Sequence, residues 1–127
     1  MSYFNHENKN YFGHIGVYGN RGSNNIIQNC DALLIIGSRL DNRQRGGRAE
    51  NFAPLAKKLV IDIDTDELSK YDSSYKTINL DLKYIEPIIK KVQIPTLSNE
   101  WATYIKKQKE TYLFKDISTF HKENNSL

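Results

Sequence analysis

Three apolar runs that each stop at a glycine or an aspartate constrain this chain more than any other feature. Ala32 to Ile36 stops at Gly37, Leu59 to Ile63 runs into the acidic pair Asp62 and Asp64, and Thr77 to Leu80 stops at Asp81. Short continuous apolar runs are the pattern of parallel strands covered on both faces. Between them lie segments with helix-start signals. Alternating strands and helices demand right-handed crossovers and a parallel sheet. The first run opens into GSRLDNRQRGG, Gly37 to Gly47, an arginine-rich loop. In open α/β sheets anionic ligands sit at the carboxyl ends of the strands, so the three ends are expected to face one crevice.

The intervening segments fit this order. GHIGVYGNRGSN carries four glycines, which predicts tight turns and close backbone approach, and Ser23 is the expected cap of a short helix through Asn29 with Ile26 and Ile27 turned inward. The first strand is expected over residues 32–38 and the loop from Arg39 to Asn51 is long and polar. Asp64 followed by Glu67 suits a helix-start capping pair, opening the short helix DELSKY. Asp81 is placed to cap a helix whose apolar positions are Leu82, Ile85, Ile88, Ile89 and Val92, with Pro87 marking a kink or a late start. A last amphipathic helix spans residues 98–114, with Trp101, Ile105, Tyr112 and Leu113 on its apolar side.

Composition excludes several classes. At 127 residues the chain is one domain at most, and 39% hydrophobic with 26% charged residues is an ordinary soluble balance. No apolar stretch approaches the roughly 20 residues of a membrane span, and the polar start lacks the form of a secretory signal, which makes the cytoplasm the default location. The one cysteine, Cys30, allows no internal disulfide and reads as a small packed residue, and three scattered histidines are too few for a structural zinc site. A net charge of +3 without an aromatic-rich basic motif gives no support to nucleic-acid binding. Arg43, Arg45 and Arg48 are expected on a solvated or interdomain face.

The run from Gly13 to Lys70, followed by NLDLK, resembles the central domain of thiamine-diphosphate-dependent enzymes of the acetolactate synthase type. The matching pieces are a GxxGxxG segment before a short helix, an apolar strand ending in G-x-R-x-D-x-R, FA-x-x-AK leading into IDID, and an aspartate step opening the next helix. The resemblance implies the second half of a doubly wound, Rossmann-like domain with about three parallel strands and flanking helices. Residues 1–12 would be a loop start, 13–97 the half-domain, 98–114 its last helix, and 115–127 a linker toward a diphosphate-binding domain. An incomplete sheet further implies that missing strands precede the first residue.

In flavin-binding members of that family the central domain holds FAD in an extended form. Ile15, Gly16, Val17 and Tyr18 resemble the segment against the flavin end, and Gly37, Ser38, Arg39, Leu40 and Asp41 the loop that passes the diphosphate. Asp62 and Ile63 resemble the pair at the ribose, and Asp81 and Leu82 the pair beside the adenine. Arg39 is the natural diphosphate partner, because a guanidinium offers forked donors. Asp64 and Asp81 serve equally well as helix caps, and Gly13, Gly16 and Gly19 as turn residues. The implied cofactors are FAD or ADP here, and thiamine diphosphate with magnesium elsewhere in an intact carboligase or decarboxylase of 2-oxo acids. No catalytic residue and no metal ligand is assigned to this chain. Its implied partners are the other domains of the enzyme, in a dimer or tetramer of identical subunits, with neither nucleic acid nor membrane. The alternatives are a ligand-free domain that packs catalytic domains together and a free-standing nucleotide-binding module.

Overall fold

The computed structural model describes residues 7–113. The expectations for residues 1–6 and 114–127, including the linker, lie outside the described residues. Eight regular elements follow in order: α1 (Arg21–Asn29), β1 (Ala32–Ile36), α2 (Asn42–Arg45), β2 (Lys57–Asp62), α3 (Thr65–Leu68), β3 (Tyr75–Asn79), α4 (Ile85–Lys91) and α5 (Asn99–Gln108). The three strands form one parallel sheet in the order β1-β2-β3, with Ile35 beside Val60 and Val60 beside Thr77. The expected α/β architecture with a three-stranded parallel sheet and flanking helices is therefore present.

The strands are displaced from the apolar runs at their ends. β1 stops at Ile36 instead of residue 38, because Gly37 turns to φ +58 and leaves the extended region. β2 and β3 each begin two residues earlier than expected, at Lys57 and Tyr75. Ladder pairing uses backbone groups, so the polar residues flanking an apolar run join it wherever a partner strand runs alongside.

Coverage differs more. Ile35 and Val60 lie in a buried cluster with Cys30, Leu40, Phe52 and Ala53, against which Leu33, Leu68, Tyr71, Tyr75 and Trp101 pack. On the opposite face Leu34 is 49% exposed, Ile36 38% and Ile78 45%, so β1 is not covered on both faces among the described residues. The reason is handedness. Both crossovers advance in the same direction across the sheet, and a right-handed connection then places both on one side. Only Ile61, in the central strand between Ile36 and Ile78, is buried on the bare side.

Helix starts follow capping chemistry more than apolar spacing. Asn20, not Ser23, caps α1, accepting from the Gly22 amide at 2.8 Å. Ser23 lies inside the helix, buried, with its hydroxyl donating to the Phe12 carbonyl. Asp81 caps a 3-10 turn, Leu82–Tyr84, and α4 starts only at Ile85. Pro87 thus falls in the first turn of α4, where its missing N–H leaves no bond unmade. The apolar residues Ile88, Ile89 and Val92 are exposed, because α4 packs chiefly on the turn before it. Ser98 caps α5 through the Trp101 amide at 3.2 Å, and the chain continues as a π-turn over Lys109–Leu113. Polar groups dock α5 on α1: Asn25 Nδ2 donates to Gln108 Oε1 at 2.9 Å, and Asn29 Nδ2 to the Tyr104 hydroxyl at 3.1 Å.

The one-sided core has a direct test. Val60→Ala removes two buried methyl groups and is expected to cost about 2 kcal/mol, whereas Leu34→Ala on the bare face should cost about 1 kcal/mol or less. Urea unfolding followed by circular dichroism measures both.

Candidate functional site

The arginine loop is more ordered than its composition suggests. Asp41 caps α2 by accepting from the Arg43 and Gln44 amides at 2.9 and 3.1 Å. A second short turn, Ala49–Asn51, occupies the stretch expected as open loop. Leu40 holds φ +42 while its side chain is only 3% exposed. A left-handed leucine costs on the order of 1 kcal/mol, and the burial of its side chain offsets that strain. Ser38 is half-buried, its hydroxyl facing the Leu40 amide at 3.5 Å.

The segment from Ile15 to Tyr18 lies against this loop. The Val17 amide donates to the Arg43 carbonyl at 2.8 Å, and the Gly16 peptide is clasped by Asn24, whose side chain accepts from its amide at 2.8 Å and donates to its carbonyl at 2.9 Å. A Cβ on Gly16 would meet the Arg43 carbonyl at 2.5 Å, so only glycine permits this approach. Ile15 packs on the core, while Val17 and Tyr18 project into solvent. Between this segment, α1 and the loop lies a cleft of about 430 Å³, lined by Gly16, Val17, Asn24, Gln44, Arg45 and Phe52 among others.

The strand ends adjoin one another. Gly37, after β1, sits where an added Cβ would lie 2.9 Å from Leu82 Cδ1, after β3. Asn79 Nδ2 donates to the carbonyls of Asp62 and Ile63 at 3.2 and 2.8 Å and ties the end of β3 to that of β2. Asp62 is 9% exposed and accepts from the Asp64 amide at 2.9 Å. Asp64 caps α3 through the amides of Asp66 and Glu67. The capping pair is thus half realised: Asp62, not Glu67, takes the returning amide. Asp81 caps its turn through the Lys83 amide at 3.0 Å, as the helix-cap reading expected. Ile63 is exposed and Leu82 partly so.

A second cleft, about 260 Å³, opens between the arginine loop and α3. Arg39, Leu40, Asp41, Asn42, Arg45, Glu67, Lys70 and Tyr71 line it. The two clefts share only Arg45. The expected solvated face is therefore corrected at that residue: Arg43 and Arg48 are exposed, but Arg45 is half-buried and its Nε is buried without a hydrogen-bond partner. Glu67, 4% exposed, forms an ion pair with Lys70 at 2.9 Å. Burial raises the phenol pKa of Tyr71, with help from the Glu67 charge, and burial likewise raises that of Tyr75; Arg45 opposes both shifts. The Tyr71 hydroxyl is buried without a hydrogen-bond partner, whereas the Tyr75 hydroxyl faces the Arg45 guanidinium.

The site residues read from the sequence thus fall into three neighbouring groups. Gly16 and Val17 line the larger cleft, Arg39, Leu40 and Asp41 the smaller one, and Gly37, Asp62, Ile63, Asp81 and Leu82 form the joined strand ends. Arg45 and Tyr71 were missed because a polar residue in a loop or short helix carries no periodicity that announces its partial burial, and Lys70 because it is exposed like any surface lysine. The i,i+3 spacing of Glu67 and Lys70 was the available signal.

Residues 1–85 match the family model described as "Thiamine pyrophosphate enzyme, central domain". The chain belongs to this family. Among relatives of this thiamine pyrophosphate enzyme central domain, the acetolactate synthase isozyme 2 large subunit of Escherichia coli K12 is 31% identical over 94 residues, covering 74% of this chain and 16% of that protein. The isozyme 1 large subunit of the same organism is 39% identical over 70 residues, 55% of this chain and 12% of that protein. A probable acetolactate synthase large subunit of Methanocaldococcus jannaschii is 40% identical over 58 residues, 46% of this chain and 10% of that protein. The chain spans no more than 16% of the length of these relatives.

Two expectations follow for this central domain. Cys30 is buried, its thiol donates to the Ile27 carbonyl at 3.1 Å, and burial pushes its pKa up. Its alkylation by iodoacetamide at pH 8 should run at under about a tenth of the rate of a free thiol, reaching that rate only in denaturant. Tyr71→Phe removes an unpaired buried hydroxyl and should stabilise the fold by about 1 kcal/mol. The raised phenol pKa means that the folded state holds its proton where the unfolded state has lost it. The stability tied to Tyr71 is therefore complete below about pH 10 and falls as pH rises beyond it, and Tyr71→Phe should lessen that fall in urea titrations.

Proposed function

We propose that this chain serves as the nucleotide-holding part of a thiamine-diphosphate-dependent carboligase or decarboxylase of 2-oxo acids. The observation that carries this reading is the contact between Gly37 and Leu82, with Asn79 bridging to Asp62 and Ile63. It draws the ends of all three strands together beside the arginine loop, where a parallel sheet presents its ligand site.

The residues fit an extended dinucleotide such as FAD, or ADP. Arg39 is exposed and takes part in no ion pair among the described residues, leaving its forked donors open to a diphosphate. Gly37 is exposed and keeps backbone accessible along the diphosphate, while Gly16 lets the flavin-end segment close on the arginine loop. The Asp62 carboxylate, with one oxygen engaged by the Asp64 amide, stands at a strand end where ribose hydroxyls would be bound. Thiamine diphosphate, when bound in an intact enzyme, supplies the carbanion chemistry. This chain's part is to position and to bind. By the family resemblance, thiamine diphosphate and magnesium are assigned to other domains of the intact enzyme. No helix among the described residues is long and apolar enough to cross a membrane. A cytoplasmic enzyme built from identical subunits completes the proposal.

A ligand-free packing domain is the second reading. It is favoured by the carboxylates, since Asp41, Asp64 and Asp81 all serve as caps. Isothermal titration with FAD and ADP separates the two. Saturable binding weakened at least about tenfold by Arg39→Ala is the expected result, given what a charge-assisted hydrogen bond contributes. Absence of heat with both nucleotides would reject the nucleotide reading in favour of the packing domain.

A further inference from the structure

The two edges of the sheet are unlike. In a parallel ladder one residue turns both its N–H and its C=O to one neighbour, and the next residue turns both to the other side. The Asp31 carbonyl accepts from the Lys57 amide at 2.8 Å and the Gly37 amide donates to the Ile61 carbonyl at 3.0 Å, so the odd-numbered residues of this segment serve β2. Ala32, Leu34 and Ile36 therefore direct their backbone groups away from the sheet. Those groups meet no partner among the described residues, and all three side chains are exposed. At the other edge the Tyr75 amide is taken by the Asp72 carbonyl, and β3 carries the exposed, polar Lys76, Thr77 and Asn79. Lysine, proline and bulges are the usual protection of an edge, and β1, with the sequence ALLII and an unbroken register, has none of them.

The outward groups of β1 are complementary to themselves. When a second copy is laid antiparallel beside the first about a two-fold axis at Leu34, the two leucines exchange both of their bonds, and Ala32 of each copy exchanges its own with Ile36 of the other. About six hydrogen bonds result, whereas a slide of two residues either way leaves about four. On the bare face the small Ala32 lies beside the large Ile36, and leucine meets leucine at the axis. Asp31, the only charged residue from 31 to 37, falls opposite Gly37 of the second copy, so no like charges meet.

We propose that β1 is a pairing edge for a second copy of this chain, which joins the two three-stranded sheets into one of six strands with an antiparallel centre. Such a pair is closed, because it uses the same edge twice and leaves only the protected β3 edges outermost. The pairing does not rest on the nucleotide reading, since none of its hydrogen bonds involves a residue assigned to the nucleotide.

The test is sedimentation velocity on the whole chain from about 10 μM to about 1 mM, the range suited to a small interface. A monomer–dimer equilibrium is expected, its dissociation constant raised at least about tenfold by Leu34→Lys, which opposes like charges at the axis. Ile78→Lys puts the same charge on the same bare face, at a residue 45% exposed against 49% for Leu34 but away from the β1 edge, and should leave the constant unchanged. Mild oxidation of Leu34→Cys should link the two copies, because opposed residues that exchange hydrogen bonds stand about 5.5 Å apart at Cα, within the span of a disulfide. Ile36→Cys should not link them, since the two positions lie about 14 Å apart along the strands. Cys30 is buried in both variants, and the cysteine pair keeps the test open if Leu34→Lys fails to fold. A chain that stays monomeric throughout overturns the proposal and leaves the edge to a strand of another protein. Dissociation by Ile78→Lys as strong as by Leu34→Lys also overturns it, by making the bare face the interface. So does cross-linking at Ile36 in preference to Leu34, or growth into species larger than the dimer.

Discussion

The central strand is the element on which everything else depends. β2 has a parallel partner on either side, so its backbone is paired along both edges, and Val60 at its middle is fully buried. Every crossover must leave from the carboxyl end of one strand and return to the amino end of the next. That requirement delivers the arginine loop, the Ile63–Asp64 step and the Asp81 turn to the same end of the sheet. The proximity of chemically useful groups at that end is thus a by-product of strand direction. Burial of Ile35, Val60, Leu40 and Phe52 against the shared face keeps it in place.

The carboxylates at this end show how one residue type meets two demands. Asp41, Asp64 and Asp81 each satisfy amides at the start of a helical turn, groups that would otherwise lack partners. Asp62 differs. It sits inside the strand, nearly buried, and receives the amide of the residue that caps α3. One aspartate therefore positions another, and the ordered step after β2 rests on the pair.

The strands and their parallel order were legible because apolar runs bounded by glycine and aspartate have few other uses. Coverage of the sheet was not. A run such as Ala32 to Ile36 looks the same whether a second layer lies over Leu34 and Ile36 or not, and the side on which both crossovers pass is decided by handedness rather than by residue type. The first helix cap went to Asn20 because Asn and Ser are near equals in that role, and the choice between them depends on where the glycine turn ends. Within the site, Arg39, Gly16 and Gly37 stood out through loop composition. Arg45 did not, since it is half-buried beside Tyr71 and Tyr75, residues far from it in the chain.

Leu40 sets two preferences of one residue against each other. Its backbone, at φ +42, is that of a glycine or an asparagine, yet its side chain is a member of the core. Glycine at this position would relieve the backbone and leave a hole; any other large apolar residue would fill the core and keep the strain. With burial worth about 2 kcal/mol and the left-handed conformation costing about 1 kcal/mol, neither exchange improves on leucine. The arginine loop is consequently anchored by a residue that neither exchange betters. The direction in which Arg39 and Asp41 leave the sheet is tied to the interior, not to the loop's own preferences.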